Sequence, residues 1–149
     1  MHYTVRKAGF TVTTNPRTFD LDLIHAYLTR SYWRRGVPRE HVARAVENSL
    51  SFGLFDRKEQ IGFARAVTDY TDIAYLSDVF VLESYQGQGL GHWLIECVLK
   101  CPSLQGLGKF ALDTDDAQEF YRKFGFRELT ECENHMQLRF QRSWYLTDG

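Results

Sequence analysis

The sequence predicts an α/β fold, in which strands and helices alternate around one sheet. Segments rich in β-branched and aromatic residues alternate with segments whose apolar residues recur at helical spacing. The predicted central strand, Ile73–Leu82, also runs through a glycine-rich turn into a helix. The 149 residues, 44% hydrophobic and 25% charged, are typical of one globular domain spanning residues 1–149.

The first half of the chain is predicted to hold strands and two helices. Asp20 is a typical N-cap residue for the first helix, and Pro38 fits the first turn of the second. Each of these helices carries an apolar stripe at helical spacing. The predicted elements are a strand at 10–14, a helix at 21–29, a helix from 38 onward, and strands at 52–55 and 61–67 joined at 56–60.

The second half is predicted to continue the alternation. After the central strand Ile73–Leu82, a helix begins at Leu90 and ends at Pro102, because proline cannot continue the helical hydrogen-bond ladder. The apolar face of this helix comprises Leu90, Trp93, Leu94, Cys97, Val98 and Cys101. The remaining predicted elements are a short strand at 110–112, a helix around Tyr121, and a late alternating strand at Met136–Phe140.

Charge and hydropathy narrow the range of partners. Eighteen basic and nineteen acidic residues leave a formal charge of −1, which gives no electrostatic basis for nucleic acid as the main partner. No apolar run approaches the ~20 residues of a membrane-spanning helix, and residues 1–7 lack the apolar core of a signal peptide. We therefore expect a cytoplasmic protein with neither a membrane nor a nucleic-acid partner.

The three cysteines predict neither a disulfide framework nor a metal site. Cys97 and Cys101 share the apolar face of one helix, whereas Cys132 lies in a distant polar segment. An odd number of cysteines without secretory features favours reduced thiols. No histidine cluster accompanies Cys97 and Cys101, so we expect no metal.

The junction at Gln86–Gly91 predicts a binding site for a phosphate group. Its glycines allow backbone N–H groups to face a ligand without an intervening Cβ, and the helix that follows adds unpaired N–H groups and the positive end of its dipole. The third glycine comes one residue too early for a dinucleotide fingerprint, and His92 stands where a P-loop has lysine. A glycine-rich turn without a ligand is the alternative interpretation.

Two motifs together resemble the GCN5-related N-acetyltransferase (GNAT) family. Val81, Gln86, Gly89 and Gly91 match its coenzyme A pyrophosphate motif, and Ala117–Phe126 matches its A-x-x-F-Y-x-K-x-G-F signature, in the family's order and spacing. The resemblance covers residues 10–140. It implies an acyl-CoA N-acyltransferase fold, with a central mixed, mostly antiparallel sheet flanked by about four helices. It also implies acetyl-CoA as co-substrate.

The resemblance further implies which residues would hold the coenzyme. The backbones of Val79, Phe80 and Val81 would pair with the pantetheine arm and leave one N–H to polarise the acetyl carbonyl. Tyr121 would lie near the thiol sulfur. The residues implied around the pyrophosphate are Gln86, Gly87, Gln88, Gly89, Leu90, Gly91 and His92. At Thr114, where the family often has asparagine, the sequence departs from the pattern, although Asp115 or Asp116 would still cap the helix.

Two residues are candidates for catalysis. Tyr121, with an ordinary phenol pKa near 10, would donate a proton to the departing thiolate; the alternative is that its ring only packs. Asp78 is a charge on an otherwise apolar strand, which is costly unless it is paired or functional. It is either the base that receives the amine's proton or one half of an ion pair with Arg65, and Glu83 is the second candidate for the base.

The resemblance also implies that the acceptor would lie over the first two helices and their connection. Tyr32 and Trp33 are amphipathic aromatics that would wall a pocket, with Asp78 close by, or else belong to a packed and charged surface loop. Arg34 and Arg35 either attract a carboxylate on the acceptor or are simply solvated. An amino acid, a polyamine, an aminoglycoside-like amine and a protein amine all remain open as acceptors.

The leading functional hypothesis is transfer of an acetyl group from acetyl-CoA to a primary amine of a small molecule, by direct attack in a ternary complex. The alternatives are a protein N-acetyltransferase, a non-catalytic acyl-CoA-binding module, and an unrelated nucleotide-phosphate-binding protein. A homodimer is also considered, because dimers are frequent in the family.

Overall fold

A six-stranded sheet forms the centre of the molecule, and its strands lie side by side in chain order. The computed structural model describes residues 1–144. Neighbouring strands are antiparallel from β1 to β5, whereas β5 and β6 are parallel. The strands are β1 (Thr4–Lys7), β2 (Phe10–Thr13), β3 (Leu50–Asp56), β4 (Glu59–Thr68), β5 (Ile73–Val81) and β6 (Lys109–Leu112).

Four α-helices accompany the sheet within residues 1–144. They are α1 (Leu21–Arg30), α2 (Arg39–Glu47), α3 (Leu90–Lys100) and α4 (Gln118–Arg122). Asp20 caps α1 as predicted, since its side chain accepts a hydrogen bond from the N–H of Leu23 at 3.1 Å. Helix α3 makes the crossover that parallel neighbours such as β5 and β6 require. The predicted α/β class, with a mixed, mostly antiparallel sheet and about four helices, is confirmed.

Apolar clusters form on both faces of the sheet. Phe63 and Ala64 are neighbours on β4 yet enter different clusters, as expected for successive residues of a strand. One cluster lies beneath α1 and α2 and includes Phe80. The other buries the predicted apolar face of α3 together with Tyr121. The sheet is therefore covered by α1 and α2 on one side and by α3 on the other.

Two details of the chain differ from the sequence prediction. The first strand of the sheet is β1, which precedes the predicted strand at 10–14 and pairs with it. The predicted strand Met136–Phe140 is wrong, because this segment forms no strand and its apolar side chains Met136, Leu138 and Phe140 are 90%, 80% and 76% exposed. Alternation of side chains is not sufficient for a strand, which also needs a partner edge, and β6 offers an edge of only four residues.

None of the helices between residues 1 and 144 has the length and apolar character needed to cross a bilayer.

Candidate active site

The parallel strands β5 and β6 separate along their length and leave an opening in the sheet. They pair only from Ile73 with Lys109 to Leu76 with Leu112. Beyond this point β5 continues to Val81, whereas the chain after Leu112 turns away toward α4. Residues 77–81 of β5 therefore have no partner strand on the β6 side, so this stretch of backbone edge is available to a ligand.

A β-bulge marks the place where the strands begin to separate. Phe63 pairs with Phe80 and Arg65 with Ser77, so Asp78 and Val79 together lie opposite the single residue Ala64. Asp78 has φ +54°, in the left-handed region that aspartate tolerates better than most residues. Bulges re-aim side chains and recur beside active sites. Here the bulge directs a carboxylate into a cavity of about 910 Å³.

The carboxylate of Asp78 is buried and hydrogen-bonded on both oxygens. Arg34 donates from Nε to Oδ1 at 3.2 Å and from Nη2 to Oδ2 at 3.1 Å. Arg65 donates from Nε to Oδ2 at 3.0 Å, and the indole N–H of Trp33 donates to Oδ1 at 3.1 Å. The ion pair with Arg65, one of the two alternatives from the sequence, is therefore present.

These partners determine the charge state of Asp78. Burial alone would raise its pKa, but the hydrogen bonds and positive charge of Arg34, with the charge of Arg65, outweigh burial and hold the pKa below its ordinary value. A carboxylate with a lowered pKa is a poor proton acceptor. The contacts therefore favour the ion-pair interpretation over the base.

Tyr121 on α4 lies at the same cavity with its hydroxyl uncommitted. The side chain is 9% exposed, and its ring packs against Phe120 and Phe126. Among residues 1–144 its hydroxyl forms no hydrogen bond with another residue. Burial, with smaller effects of Tyr32 and Asp116, raises the pKa of Tyr121 to about 12. The phenol therefore keeps its proton at neutral pH and is free to donate it.

The glycine-rich turn presents unpaired backbone donors at the start of α3. Gly87 and Gly89 have φ of +84° and +83°, which glycine alone adopts readily, and a Cβ on either would meet nothing within 4 Å. Gly89 is the N-cap residue, with no side-chain cap. Within residues 1–144, the N–H groups of residues 87–91 donate to no other residue. Such free N–H groups, together with the helix dipole, suit a phosphate group.

The side chains around this turn are engaged locally. Gln86 donates from Nε2 to the carbonyl of Val81 at 2.8 Å, which ties the turn to the end of β5. His92 contacts Glu96 through Nδ1 at 3.2 Å, and its ring packs against Phe124 at an interplanar angle of 37° with centroids 4.6 Å apart. The backbone N–H of Gln86 donates to the carbonyl of Glu83, so the free backbone donors of the turn begin at Gly87.

Comparison with known proteins decides the family. The family model described as "Acetyltransferase (GNAT) domain" matches residues 38–128. The chain belongs to the GNAT family. It is 26% identical over 149 residues to a Gibberella zeae protein named as an acetyltransferase, and the match covers 84% of this chain and 83% of that protein.

Solved GNAT structures share the fold. A GNAT-family protein from Xanthomonas campestris pv. campestris superposes with a TM-score of 0.86 at 37% identity, over 93% of this chain and 97% of that one. An aminoglycoside N-acetyltransferase, solved in complex with CoA, superposes with a TM-score of 0.63 at 22% identity, over 92% of this chain and 96% of that one. The protein is thus an acetyltransferase of the GNAT type, and its family uses acetyl-CoA.

The structure groups the predicted GNAT site residues into two places. Tyr32, Trp33, Asp78, Val79 and Tyr121 line the cavity together. The side chains of Phe80 and Val81 are buried in the apolar clusters, and Phe80 stacks on Tyr27 with centroids 4.0 Å apart. The glycine-rich turn, residues 86–92, lies outside the cavity lining, beyond the end of β5.

Several cavity residues were not predicted from the sequence. His41 and Arg142 meet there although they are 101 positions apart in the chain, with 3.0 Å between Nη1 and Nε2. Tyr75 donates to Asp113, and Tyr32, from the α1–α2 connection, donates to Asp116 at 3.4 Å. Contacts over such separations depend on the tertiary fold and leave no local pattern in the sequence.

The approach to α4 corrects one expectation about capping. Thr114 Oγ1 accepts a hydrogen bond from the N–H of Ala117 at 3.1 Å. Ala117 is the N-cap residue of α4 and no side chain among residues 1–144 caps this helix, so the expected cap by Asp115 or Asp116 is wrong. These two carboxylates are left to line the cavity instead.

The cysteines of α3 are buried and poor nucleophiles. Burial raises the pKa of Cys97 to about 11 and also raises the pKa of Cys101, and a thiol must ionise to attack. Within residues 1–144, no group of three or more His, Cys, Asp and Glu side chains is arranged to hold a metal ion.

Proposed function

We propose that this protein transfers the acetyl group of acetyl-CoA to a primary amine of a small molecule, by direct attack in a ternary complex. The observation that carries the proposal is the opening between β5 and β6. At this opening the edge of β5 has no partner strand within residues 1–144. The edge leads from the cavity lined by Tyr121 toward the unpaired N–H groups of residues 87–91.

The coenzyme would follow this edge. The free N–H groups at Gly87 and Gly89 fit a pyrophosphate, since the left-handed glycines leave the space above them open. The backbone edge of Val79–Val81 fits the amide groups of pantetheine, because no strand pairs with it there. Acetyl-CoA would supply a thioester to the cavity. The edge would orient that thioester, and one strand N–H would polarise its carbonyl.

Tyr121 would assist departure of the thiol. When the amine nitrogen bonds to the acetyl carbon, the carbon–sulfur bond breaks and its electron pair goes to sulfur. A phenol of pKa about 12 is a weaker acid than an ordinary thiol near 8.5. Complete transfer of the phenol proton would therefore cost about 5 kcal/mol. We assign Tyr121 as the hydrogen-bond donor that stabilises the thiolate until a proton from the amine reaches it.

Asp78 would act by positioning rather than as the base. Its carboxylate is held by Arg34, Arg65 and Trp33 and has a lowered pKa. In this role it fixes the bulge and the α1–α2 connection against β5. The proton of the amine would leave through water in the open cavity.

Direct attack is favoured over an acetyl-cysteine intermediate because Cys97 and Cys101 are buried with raised pKa values. A small acceptor is favoured because the hydrogen bond from Tyr32 to Asp116 joins two walls of the cavity and so narrows it. A cytoplasmic location and a homodimer stay predictions.

Calorimetric titration with acetyl-CoA, followed by release of free thiol across a panel of amines, tests the proposal. We expect saturable binding and thiol release with at least one amine class. Desulfo-CoA, which lacks the thiol, is the control for binding without chemistry. Binding without turnover of any amine would support the non-catalytic module, and absence of binding would overturn the proposal.

A further inference from the structure

Positive and negative charges are separated across the cavity. Its lining includes four arginines, Arg34, Arg65, Arg139 and Arg142, and four aspartates, Asp78, Asp113, Asp115 and Asp116. Of these four aspartates, only Asp78 forms an ion pair with an arginine of residues 1–144. The other three aspartates belong to the segment between β6 and α4. Arg139 lies near these aspartates, because its charge acts on Tyr75 and Tyr75 donates to Asp113. The cavity therefore has a cationic wall with Arg34, Arg65 and Arg142, and an anionic wall with three aspartates and one arginine.

The cationic wall carries more positive charge than its one carboxylate balances. Arg34 and Arg65 share Asp78, with 3.1 and 2.9 Å between nitrogen and Oδ2. Arg142 contacts no carboxylate of residues 1–144. Its guanidinium lies over the Trp144 ring, 5.4 Å from the centroid, and reaches His41. Three guanidinium groups with one carboxylate leave an excess of two positive charges.

His41 holds two of these cations without neutralising them. Its Nε2 lies 3.3 Å from Nη1 of Arg34 and 3.0 Å from Nη1 of Arg142. Guanidinium nitrogens are donors only, so Nε2 must be the acceptor and the imidazole proton must be on Nδ1. Burial, and then the charges of the surrounding arginines, lower the pKa of His41, in agreement with a neutral ring. The two guanidinium groups are thereby kept together despite their mutual repulsion.

Such a pair suits a carboxylate. Guanidinium groups present donors in a planar fork that matches two carboxylate oxygens. The fold already holds the two guanidinium groups close together, so both of them attract a carboxylate that binds there. The glycine-rich turn is outside the cavity lining, so the coenzyme phosphates would not occupy this wall.

The anionic wall faces the reacting end of the cavity. Tyr32 donates to Asp116, and both groups lie close enough to Tyr121 to raise its pKa. A positively charged amine would therefore gather on the side of Tyr121 and the thioester. Its anionic substituent would lie on the side of Arg34 and Arg142.

We infer that the acceptor is an amine that also carries a carboxylate, with the carboxylate bound by Arg34 and Arg142 and the amine directed toward Tyr121. This inference rests on the proposed function, because it names the substrate class of the same site.

The first test compares matched amines with wild-type protein. Each amino acid or ω-amino acid is assayed beside its carboxamide and the amine that lacks the carboxyl carbon, for instance phenylalanine, phenylalaninamide and phenethylamine. We expect kcat/KM at least tenfold higher for the amino carboxylate, mainly through KM. An aminoalkyl phosphonate separates carboxylate selectivity from binding of any oxyanion. Equal kcat/KM for the charged and uncharged members, or preference for the phosphonate, would overturn the inference.

The second test removes one cation. Arg142→Gln should raise KM for the amino carboxylate at least tenfold more than it raises KM for the matched uncharged amine. Arg127→Gln is the matched control, because Arg127 is an exposed arginine outside this cavity that donates to backbone carbonyls. An equal effect of Arg142→Gln on charged and uncharged amines would contradict the inference.

The two proposals can fail separately. If acetyl-CoA binds but no amine is acetylated, or if acetyl-CoA does not bind, the proposed function fails. In that case, calorimetric titration with the amino carboxylates tests this inference, because it measures their binding without any acetyl transfer. Binding that Arg142→Gln weakens and Arg127→Gln does not would support the carboxylate site, and absence of binding would overturn it.

Discussion

Arg65 on β4 and Asp78 on β5 form a buried ion pair across neighbouring strands, with 2.9 Å between Nη2 and Oδ2. The side chains are only 10% and 2% exposed. Because Asp78 lies at the bulge where β5 separates from β6, this pair anchors the wall of the cavity at the point where the sheet opens. Arg34 joins the same carboxylate from the α1–α2 connection.

Asp78→Asn should destabilise the protein by about 3–5 kcal/mol, because two buried guanidinium groups would lose their counter-charge. Denaturant unfolding measures this loss. Asp22→Asn is the matched control, since the Asp22 carboxylate also pairs with an arginine but is 82% exposed, and exposed pairs contribute about 0–1 kcal/mol. Similar losses for the two variants would contradict a structural ion pair at Asp78.

The same ion pair predicts that the free energy of unfolding depends on pH. The pKa of Asp78 is lowered in the folded state, so the unfolded chain takes up this proton first as pH falls. The stabilisation is present above the ordinary aspartate value of about 4 and is lost as pH falls through the lower folded pKa. The difference in unfolding free energy between wild type and Asp78→Asn should therefore shrink below about pH 4. A constant difference would show that ionisation of Asp78 is not involved.

Activity of Asp78→Asn distinguishes positioning from base catalysis. A missing base would be compensated at high pH, where more of the amine is already unprotonated. Loss of a positioning residue would not be compensated in this way. We therefore expect kcat of Asp78→Asn to be lower than that of wild type by a similar factor at every pH from 6 to 10. Full recovery of kcat at high pH would restore Asp78 as the base.

Local patterns predicted well those features that depend on neighbouring residues. The apolar spacing of α3 and the glycines before it are local, and the helix begins at Leu90 as predicted. The role of Asp78 could not be derived in this way, because its partner Arg34 is 44 positions away. The segment Met136–Phe140 alternates like a strand but forms none, since pairing depends on an edge that the sequence does not describe.

Tyr121→Phe should lower kcat about 10- to 100-fold, with little change in affinity for acetyl-CoA. This effect is at or below the lower limit for general acids, because the phenol donates a hydrogen bond and keeps its proton. The ring would still pack on Phe120 and Phe126. Steady-state kinetics and calorimetry measure the two effects. Tyr85→Phe is the control, because the Tyr85 hydroxyl bonds to Asp56 and Tyr85 lies outside the cavity lining. Unchanged kcat in Tyr121→Phe would reduce the residue to packing.

Gly89→Ala should weaken binding of acetyl-CoA at least tenfold. An alanine at φ +83° is strained by about 1–2 kcal/mol, and relief of this strain would turn the free N–H groups away. Gly106→Ala is a close control, because Gly106 also has φ +83° and open space at Cβ but lies after α3. Both variants should lose similar stability, measured by thermal unfolding, and only Gly89→Ala should lose affinity. Equal affinity in both would remove the phosphate assignment.

His41→Gln should flatten the dependence of stability on pH between about 7 and 5. Burial and the charges of Arg34, Arg142, Arg65 and Arg44 lower the pKa of His41 in the folded protein. The unfolded chain takes up a proton near the ordinary value of about 6.5 before the folded protein does, so wild-type stability should fall as pH drops below that value. Glutamine keeps a hydrogen-bond acceptor for Arg34 and Arg142 but cannot be protonated in this range.

Unfolding free energies at pH 7 and pH 5 measure this effect, with His2→Gln as the control because His2 is exposed near the N-terminus. The expected result is a smaller loss between the two pH values for His41→Gln than for wild type or His2→Gln. A neutral His41 is required because its Nε2 must accept from two donors that carry positive charge. If His41→Gln loses as much stability as wild type, the ring is not the neutral acceptor that keeps the two guanidinium groups together.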